Sequence, residues 1–247
     1  MIVNESTLHS FEDVEMEEER VISNEDVMNK VVIFKRSVQV LRKLNFFTKR
    51  VIDIVGSVVG IILLIPLIFI VKIMNLLNKD DGPMFYSQER IGKNGEIFKM
   101  YKFRSMVMNA DEKLEELLKN DPEARAEYKK YKKLRNDPRV TKFGEFLRKT
   151  SLDEFPQFIN VLKGEMSLVG PRAYLPKEKE DMGDSYSIII RCTPGLTGLW
   201  QISGRSNVTF EDRVQMDLDY YSTQNINNDI KILIQTVFKI LGKEGAI

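Results

Sequence analysis

Two adjacent carboxylates, Asp153 and Glu154, are the densest chemical feature of this 247-residue sequence. Arg148 and Lys149 precede them, and an amphipathic run with Phe155, Phe158, Ile159 and Leu162 at helical spacing follows. Such a pair can do two jobs. One carboxylate can attack phosphorus as a nucleophile, and the other can hold magnesium, a hard cation that prefers carboxylate and phosphate oxygens. The flanking cations would offset the charge of a bound pyrophosphate. A structural reading stands beside this one, because acids at a helix start complement the helix dipole and Ser151 and Glu154 have capping-box spacing. With Ser151 as the cap, however, Pro156 would fall beyond the first turn, where its ring clashes.

The rest of the composition narrows the chemistry. His9 is the only histidine and Cys192 the only cysteine. That excludes a histidine triad, a cysteine-cluster zinc site and an intrachain disulfide. Net charge is +1, so no global basic field suggests nucleic acid as a partner. Several further elements suit phosphate. Gly170-Pro171-Arg172 puts an arginine on a rigid turn. Thr193-Pro194-Gly195-Leu196-Thr197-Gly198 is turn-rich and is followed by Trp200-Gln201 and by Ser203-Gly204-Arg205. Glycine loops expose backbone N–H groups, and arginine binds phosphate in a bidentate fork. Lys99, Lys102 and Arg104 form either a solvated strand face or one that meets a substrate or lipid phosphate. None of these is a Walker loop or a dinucleotide fingerprint.

These residues need elements to hold them. Residues 96–103 have strand-like content, and residues 110–135 read as two charged helices broken around Asn120-Asp121-Pro122. Gly164 sits where a helix C-terminus favours positive φ, and Thr209 with Asp212 has capping-box spacing for a helix to about Tyr221. Ile230, Leu233, Ile234, Val237, Phe238 and Leu241 form one apolar stripe, on a helix that packs on the core or lies in a membrane interface. Upstream, residues 54–71 carry no charge, as a membrane segment requires. Pro66 interrupts that run, so a kink or break is expected near Ile65, with the freed carbonyl satisfied by Ser57 or a neighbouring helix. Lys49 and Arg50 precede the segment, and Lys72 and Lys79 follow it. Basic residues at both ends give no orientation for a single span, but suit a re-entrant segment whose two ends share the cytoplasmic face. Residues 1–30 are strongly acidic and read as a mobile tail. Residues 31–50 are basic and amphipathic, suited to an anionic membrane surface or to a solvated helix packed on the domain.

Taken in order, the Pro-containing apolar segment, Tyr101-Lys-Phe-Arg-Ser-Met106, residues 148–172 and residues 193–205 resemble the bacterial sugar transferase family of monotopic polyprenol-phosphate phosphoglycosyl transferases. The resemblance covers roughly residues 46–247. Residues 1–45 lie outside it and read from their charge as a largely disordered tail; the resemblance implies a mostly helical α+β fold, with 46–78 as a re-entrant membrane helix broken at proline and 79–247 as a small cytosolic catalytic domain with amphipathic interfacial helices. It implies transfer of a sugar 1-phosphate from a UDP-sugar to undecaprenyl phosphate with release of UMP. It implies magnesium as cofactor, Asp153 as the nucleophile that carries a covalent phospho-sugar, and Glu154 on the metal with Asp153 beside it. Arg148, Pro171, Arg172, Arg205, Lys102 and Arg104 are the implied substrate-binding residues. Partners beyond the membrane would be a second copy of the chain in a homodimer and downstream glycosyltransferases. Ala173 stands where many relatives have a second proline. Larger relatives carry several spanning helices before this core, so any regulation by those helices is expected to be missing here or to lie in another protein. The run 173–183 resembles members acting on UDP-galactose or UDP-glucose.

Overall fold

The structure is a computed structural model that describes residues 24–204 and 208–242, with side chains described from residue 43 onward except at Leu241. The acidic tail to residue 23, His9 and Arg205 therefore lie outside the described residues. The chain divides into two compact units, residues 1–46 and 47–247.

Helix α1 (Asn24–Leu77) runs across the expected boundary at residue 45 and through Pro66 without interruption. Lys43–Leu77 is long and apolar enough to cross a membrane by length and composition, with a mean hydropathy of 3.0 over its most apolar 18 residues. Asp53, Ser57, Gly60, Leu64, Leu67 and Val71 are buried at three- to four-residue intervals, so one narrow stripe of the helix docks on the rest of the second unit. The other faces stay bare: Val55, Val59, Ile62, Leu63, Phe69 and Ile73 are exposed. Only 28% of the most apolar window is buried, which is unlike the core helix of a soluble domain. The stripe approaches closely at Gly56, where a Cβ would stand 2.6 Å from Leu168. Two charges complete it. Lys49 pairs with Asp229 at 2.6 Å, and Asp53 accepts hydrogen bonds from the Ser167 hydroxyl and the Leu168 N–H. Leu64, Leu67 and Val71 pack with Phe103 and Leu147 on both sides of Pro66, which supports the helix where the proline removes a backbone donor. Ser57 donates to the carbonyl of Ile54 at 2.9 Å, so it does not serve the carbonyl that Pro66 frees.

The second unit is α+β and mostly helical. Strand β1 (Phe85–Ile91) pairs antiparallel with β2 (Ile97–Phe103), in a register that sets Phe85 against Phe103 and Tyr86 against Lys102. Helices α2 (Ala110–Asn120) and α3 (Pro122–Tyr131) break where proline chemistry requires. Asp121 accepts from the N–H groups of Glu123 and Ala124, and Pro122 opens the next helix. Then come α4 (Lys142–Lys149), capped by Thr141, and α5 (Gln157–Lys163), ended by Gly164 at φ 87°. Arg50 from α1 donates to the terminal carbonyls of Val161 and Leu162, which ties the membrane-type helix to the end of α5. Strand β3 (Ser167–Val169) is followed by the short helices α6 (Lys179–Met182) and α7 (Ser185–Ile189), then by β4 (Gly195–Thr197), which pairs parallel with β3. Helix α8 (Leu199–Ser203) leads to α9 (Phe210–Thr223), capped by Thr209, and to α10 (Ile226–Leu241). The central core joins β2, α5, β3, α9 and α10 through Met100, Val161, Met166, Val169, Tyr220 and Ile232. The stripe read from the sequence on α10 divides. Leu233 packs inward beside Ile232, a core residue outside the stripe, whereas Ile230, Ile234, Val237 and Phe238 are exposed.

Candidate active site

The carboxylate pair sits in the link between α4 and α5, not in the first turn of a helix. Ser151 adopts a left-handed conformation (φ 58°) and makes no side-chain cap. Leu152–Glu154 then form a single tight 3-10 turn, and α5 starts only after Pro156. The turn is anchored by Leu152 and Phe155, which pack against the cluster holding Leu64, Leu67 and Phe103. That anchoring buries Asp153 (6% exposed) and leaves Glu154 partly open.

Strand β2 delivers the counter-charge. Phe103 points into the core, and Lys102 stands beside the pair, its Nζ 2.9 Å from Glu154 Oε1 and 3.8 Å from Asp153 Oδ2. The register of strand against turn is held by Asn160 of α5. Its Oδ1 accepts from the Tyr101 N–H at 3.1 Å, and its Nδ2 donates to the Lys99 carbonyl at 2.8 Å and to Glu165. Asn160 is fully buried, and nothing in its sequence context marks it apart from helical position. Burial pushes the Asp153 carboxyl up to about 6; Lys102 opposes the shift, Glu154 adds to it, and Arg148 opposes it again. Asp153 is therefore ionised at neutral pH yet poorly hydrated, which suits a nucleophile. Arg148, in the last turn of α4, makes no ion pair among the described residues.

A second, basic corner is built from the two glycine-rich motifs. The turn after β3 and the loop entering β4 lie side by side: Gly195 N–H donates to Pro171 O at 2.8 Å, and Gly170 N–H to Thr197 O at 2.9 Å. A Cβ on Gly170 or Gly195 would collide with the facing backbone, so only glycine permits this approach. Arg172 is thereby aimed at Trp200 of α8, with its guanidinium carbon 5.7 Å from the ring centre. Arg213 of α9 approaches the same ring at 4.9 Å. The Nε atoms of both arginines, Trp200 Nε1 and Asp217 Oδ1 are buried without a partner. Burial pushes the ammonium of Lys133, half-buried in the segment between α3 and α4, down to about 8, and the charges of Arg213, Arg172, Arg135 and Arg148 add to the shift. Sequence reasoning missed Lys133, Arg213, Asp217 and Asn160. Lys133 hides in a run of lysines, and the others lie on helices where periodicity accounts for them.

The structure thus brings Lys102 to the carboxylate pair and Arg172, with buried Pro171, to the basic corner. Arg104 goes elsewhere: it pairs with Asp80 at 2.7 Å and donates to the Pro83 and Met106 carbonyls, holding the turn after α1. Lys149 pairs with Glu145 on the surface, and Lys99 is exposed.

A model of the bacterial sugar transferase family matches residues 44–243. An undecaprenyl-phosphate galactose phosphotransferase from Salmonella typhimurium is 47% identical over 221 residues, which is 87% of this chain and 46% of the relative. A UDP-glucose:undecaprenyl-phosphate glucose-1-phosphate transferase from Escherichia coli is 38% identical over 208 residues, 81% of this chain and 41% of the relative. The exopolysaccharide production protein ExoY of Rhizobium meliloti is 41% identical over 206 residues, 83% of this chain and 91% of the relative. The chain spans less than half the length of the first two relatives and nearly all of the third.

Proposed function

The chain belongs to the bacterial sugar transferase family, and from that premise we propose that it transfers a sugar 1-phosphate from a UDP-sugar to undecaprenyl phosphate and releases UMP. The observation that carries this reading is the desolvated Asp153 carboxylate on a tight turn, with Lys102 and Glu154 beside it. An oxygen of Asp153 attacks the phosphorus that bears the sugar, and the bond from that phosphorus to the UMP oxygen breaks. UMP leaves, and the phospho-sugar remains on Asp153. A phosphate oxygen of undecaprenyl phosphate then attacks the same phosphorus, the bond to Asp153 breaks, and the carboxylate is regenerated. Two displacements at one carboxylate let a soluble donor and a lipid acceptor use the same surface site in turn.

Magnesium fits the donor set. No group of three His, Cys, Asp or Glu side chains gathers among the described residues, so no all-protein cage exists there. Magnesium is commonly held by one or two carboxylates, with substrate phosphates and water completing its shell, and Glu154 with Asp153 supplies those carboxylates. When bound, the ion would neutralise charge on the pyrophosphate and on the departing UMP. Lys102 holds the turn in place, and Arg148 adds positive charge beside Asp153.

The bare apolar faces of α1 and α10 support a seat in the bacterial cytoplasmic membrane, with the catalytic unit on the cytosolic side. Basic residues at both ends of the apolar segment favour a path with both ends on one membrane face, which requires α1, continuous through Pro66 in this structure, to bend at that proline in the membrane. The names of the relatives suggest galactose or glucose as the sugar, and a role at the start of exopolysaccharide, capsule or O-antigen assembly. The test is UMP release by the detergent-purified chain with magnesium, undecaprenyl phosphate and either UDP-galactose or UDP-glucose. Wild type is expected to release UMP with one of them and Asp153→Asn with neither. Silence of the wild type across UDP-sugars would end this reading, and turnover by Asp153→Asn would end the covalent route.

A further inference from the structure

One buried side chain ties the end of β1 to the turn that carries Arg172. Arg90 is only 8% exposed. One terminal nitrogen of its guanidinium donates to the Ala173 carbonyl at 2.8 Å, and the other donates to Gln88 Oε1 at 2.7 Å. Beside it, the Ile91 N–H donates to the Tyr174 carbonyl at 2.8 Å. Asp217 of α9 holds the same segment, accepting from the Arg172 N–H at 3.1 Å and from the Tyr174 hydroxyl at 2.7 Å. Residues 172–174 are thus bracketed by hydrogen bonds from β1 and α9. Packing alone does not fix them, because a small cavity lined by Ile91, Gly92, Pro171, Arg172 and Tyr174 adjoins the turn. Arg90 is a costly residue for such a tie. It forms no ion pair among the described residues, and its Nε is buried without a partner. A neutral residue would avoid burying an unpaired charge. What the guanidinium adds is a planar fork, whose two donors set Ala173 against Gln88 more rigidly than a flexible chain does.

The register of the hairpin gives this tie its meaning. Lys102 stands opposite Tyr86, and Arg90 lies four residues further along β1 on the same face. The two cations therefore leave the hairpin about 13 Å apart, at roughly 3.3 Å per residue. One end of that face carries the counter-charge of Asp153 and Glu154, and the other end holds the residue after Arg172. We infer that Arg90 is a positioning residue, which holds the Arg172 turn at a fixed distance from Lys102 and Asp153 so that one extended donor reaches both corners. It works through the Ala173 carbonyl and touches no substrate itself. That Arg172 meets the donor rests on the function proposed above, whereas the tie between β1 and the turn does not.

The experiment is a double-mutant cycle on the full chain in detergent, with wild type, Arg90→Met, Arg172→Lys and the pair. The readouts are the calorimetric Kd for UMP, and KM and kcat for the UDP-sugar. Arg90→Met is expected to raise Kd and KM roughly tenfold to a hundredfold with kcat nearly unchanged, as a misplaced binding group does. The two effects should not multiply: the pair is expected within about threefold of the weaker-binding single variant, because Arg90 acts through residue 172. Arg90→Lys keeps a donor for the Ala173 carbonyl and is expected to recover most of the affinity. Effects that multiply, or a folded Arg90→Met that binds UMP like wild type, overturn the positioning role. If Arg90→Met does not fold, Arg90→Gln takes its place in the cycle, and if neither folds Arg90 is a structural tie and the inference falls. Non-additive UMP binding in a chain that turns over no UDP-sugar leaves the positioning role standing and ends the transferase reading. Turnover with effects that multiply does the reverse, and a wild type that binds no UMP ends both.

Discussion

The acidic corner at Asp153 and the basic corner at Trp200 both feel Arg148, yet they balance their charge in opposite ways. At the acidic corner Lys102 is placed between two carboxylates, and a buried asparagine fixes the strand that carries it. At the basic corner positive groups crowd one another, with orphaned donors and one fully buried acid. A corner that is internally paired is organised for a reaction, because its groups are oriented before any substrate arrives. A corner whose ion pairing among the described residues is one long contact, Arg172 with Glu178 at 3.7 Å, leaves charge for a counter-ion from outside. Substitutions at the first should therefore act on kcat, and at the second on KM.

The largest expected effect is that of Asp153→Asn. Removing a nucleophile costs on the order of 10⁴-fold or more in kcat. The basic corner is untouched, so UMP should bind as in wild type. A calorimetric Kd for UMP that worsened in step with kcat would break the distinction between the corners. Next comes Asn160→Leu. It strands the Tyr101 N–H and the Lys99 carbonyl that the amide now serves, and so costs about 2–4 kcal/mol of stability, read as a lowered denaturant midpoint. Lys102 should lose its setting, so the surviving folded protein should show reduced kcat at near-normal KM for the UDP-sugar. Smaller again is Arg172→Lys. It keeps the charge but loses the planar fork over Trp200, and KM for the UDP-sugar should rise about tenfold to a hundredfold with kcat nearly unchanged. A kcat effect as large as the KM effect would place Arg172 in the chemistry and not in binding alone.

How far each corner was legible in the sequence follows from how it is built. The acidic corner lies within a few residues of chain, so Asp153, Glu154 and Arg148 stand out together, and the steric objection from Pro156 weighed against Ser151 as a helix cap, a role the structure does not give it. Local chemistry also located the helix break at Asp121-Pro122, the left-handed Gly164 and the Thr209 cap. The basic corner is non-local. Arg172, Trp200 and Arg213 come from three separate stretches, and only the parallel β3–β4 pairing and the packing of α9 bring them together. No periodicity encodes that meeting. Strand β1 escaped notice for a related reason: Phe85–Ile91 is buried only at its far end, so it lacks clean alternation. Arg104 shows the converse limit. Its spacing from Lys102 suggested a shared strand face, whereas Asp80, 24 positions earlier, captures it.

The smallest expected effect on binding probes whether the basic corner is as unbalanced as it looks. Complete burial pushes the Asp217 carboxyl up to about 7, against the opposing hydrogen bonds from Tyr174 and the Arg172 N–H and the charges of Arg172 and Arg213. Its folded pKa lies above the unfolded value near 3.8, so between the two the folded protein holds a proton that the unfolded chain has released. The stability this provides is full below about pH 3.8 and is lost as pH rises through about 7. Asp217→Asn keeps an acceptor for the Tyr174 hydroxyl and the Arg172 N–H but carries no proton to release. Wild-type stability should therefore drift down from pH 5 to pH 8 by about 2–3 kcal/mol more than that of Asp217→Asn, measured as paired urea midpoints. Above pH 7 the variant should also bind UMP about threefold more tightly, because an ionised Asp217 competes with phosphate for Arg172 and Arg213. Identical pH profiles, or weaker UMP binding in Asp217→Asn, would mean that Asp217 is already the counter-ion of those arginines. The basic corner would then be internally paired like the acidic one, and the division of labour between them would fall.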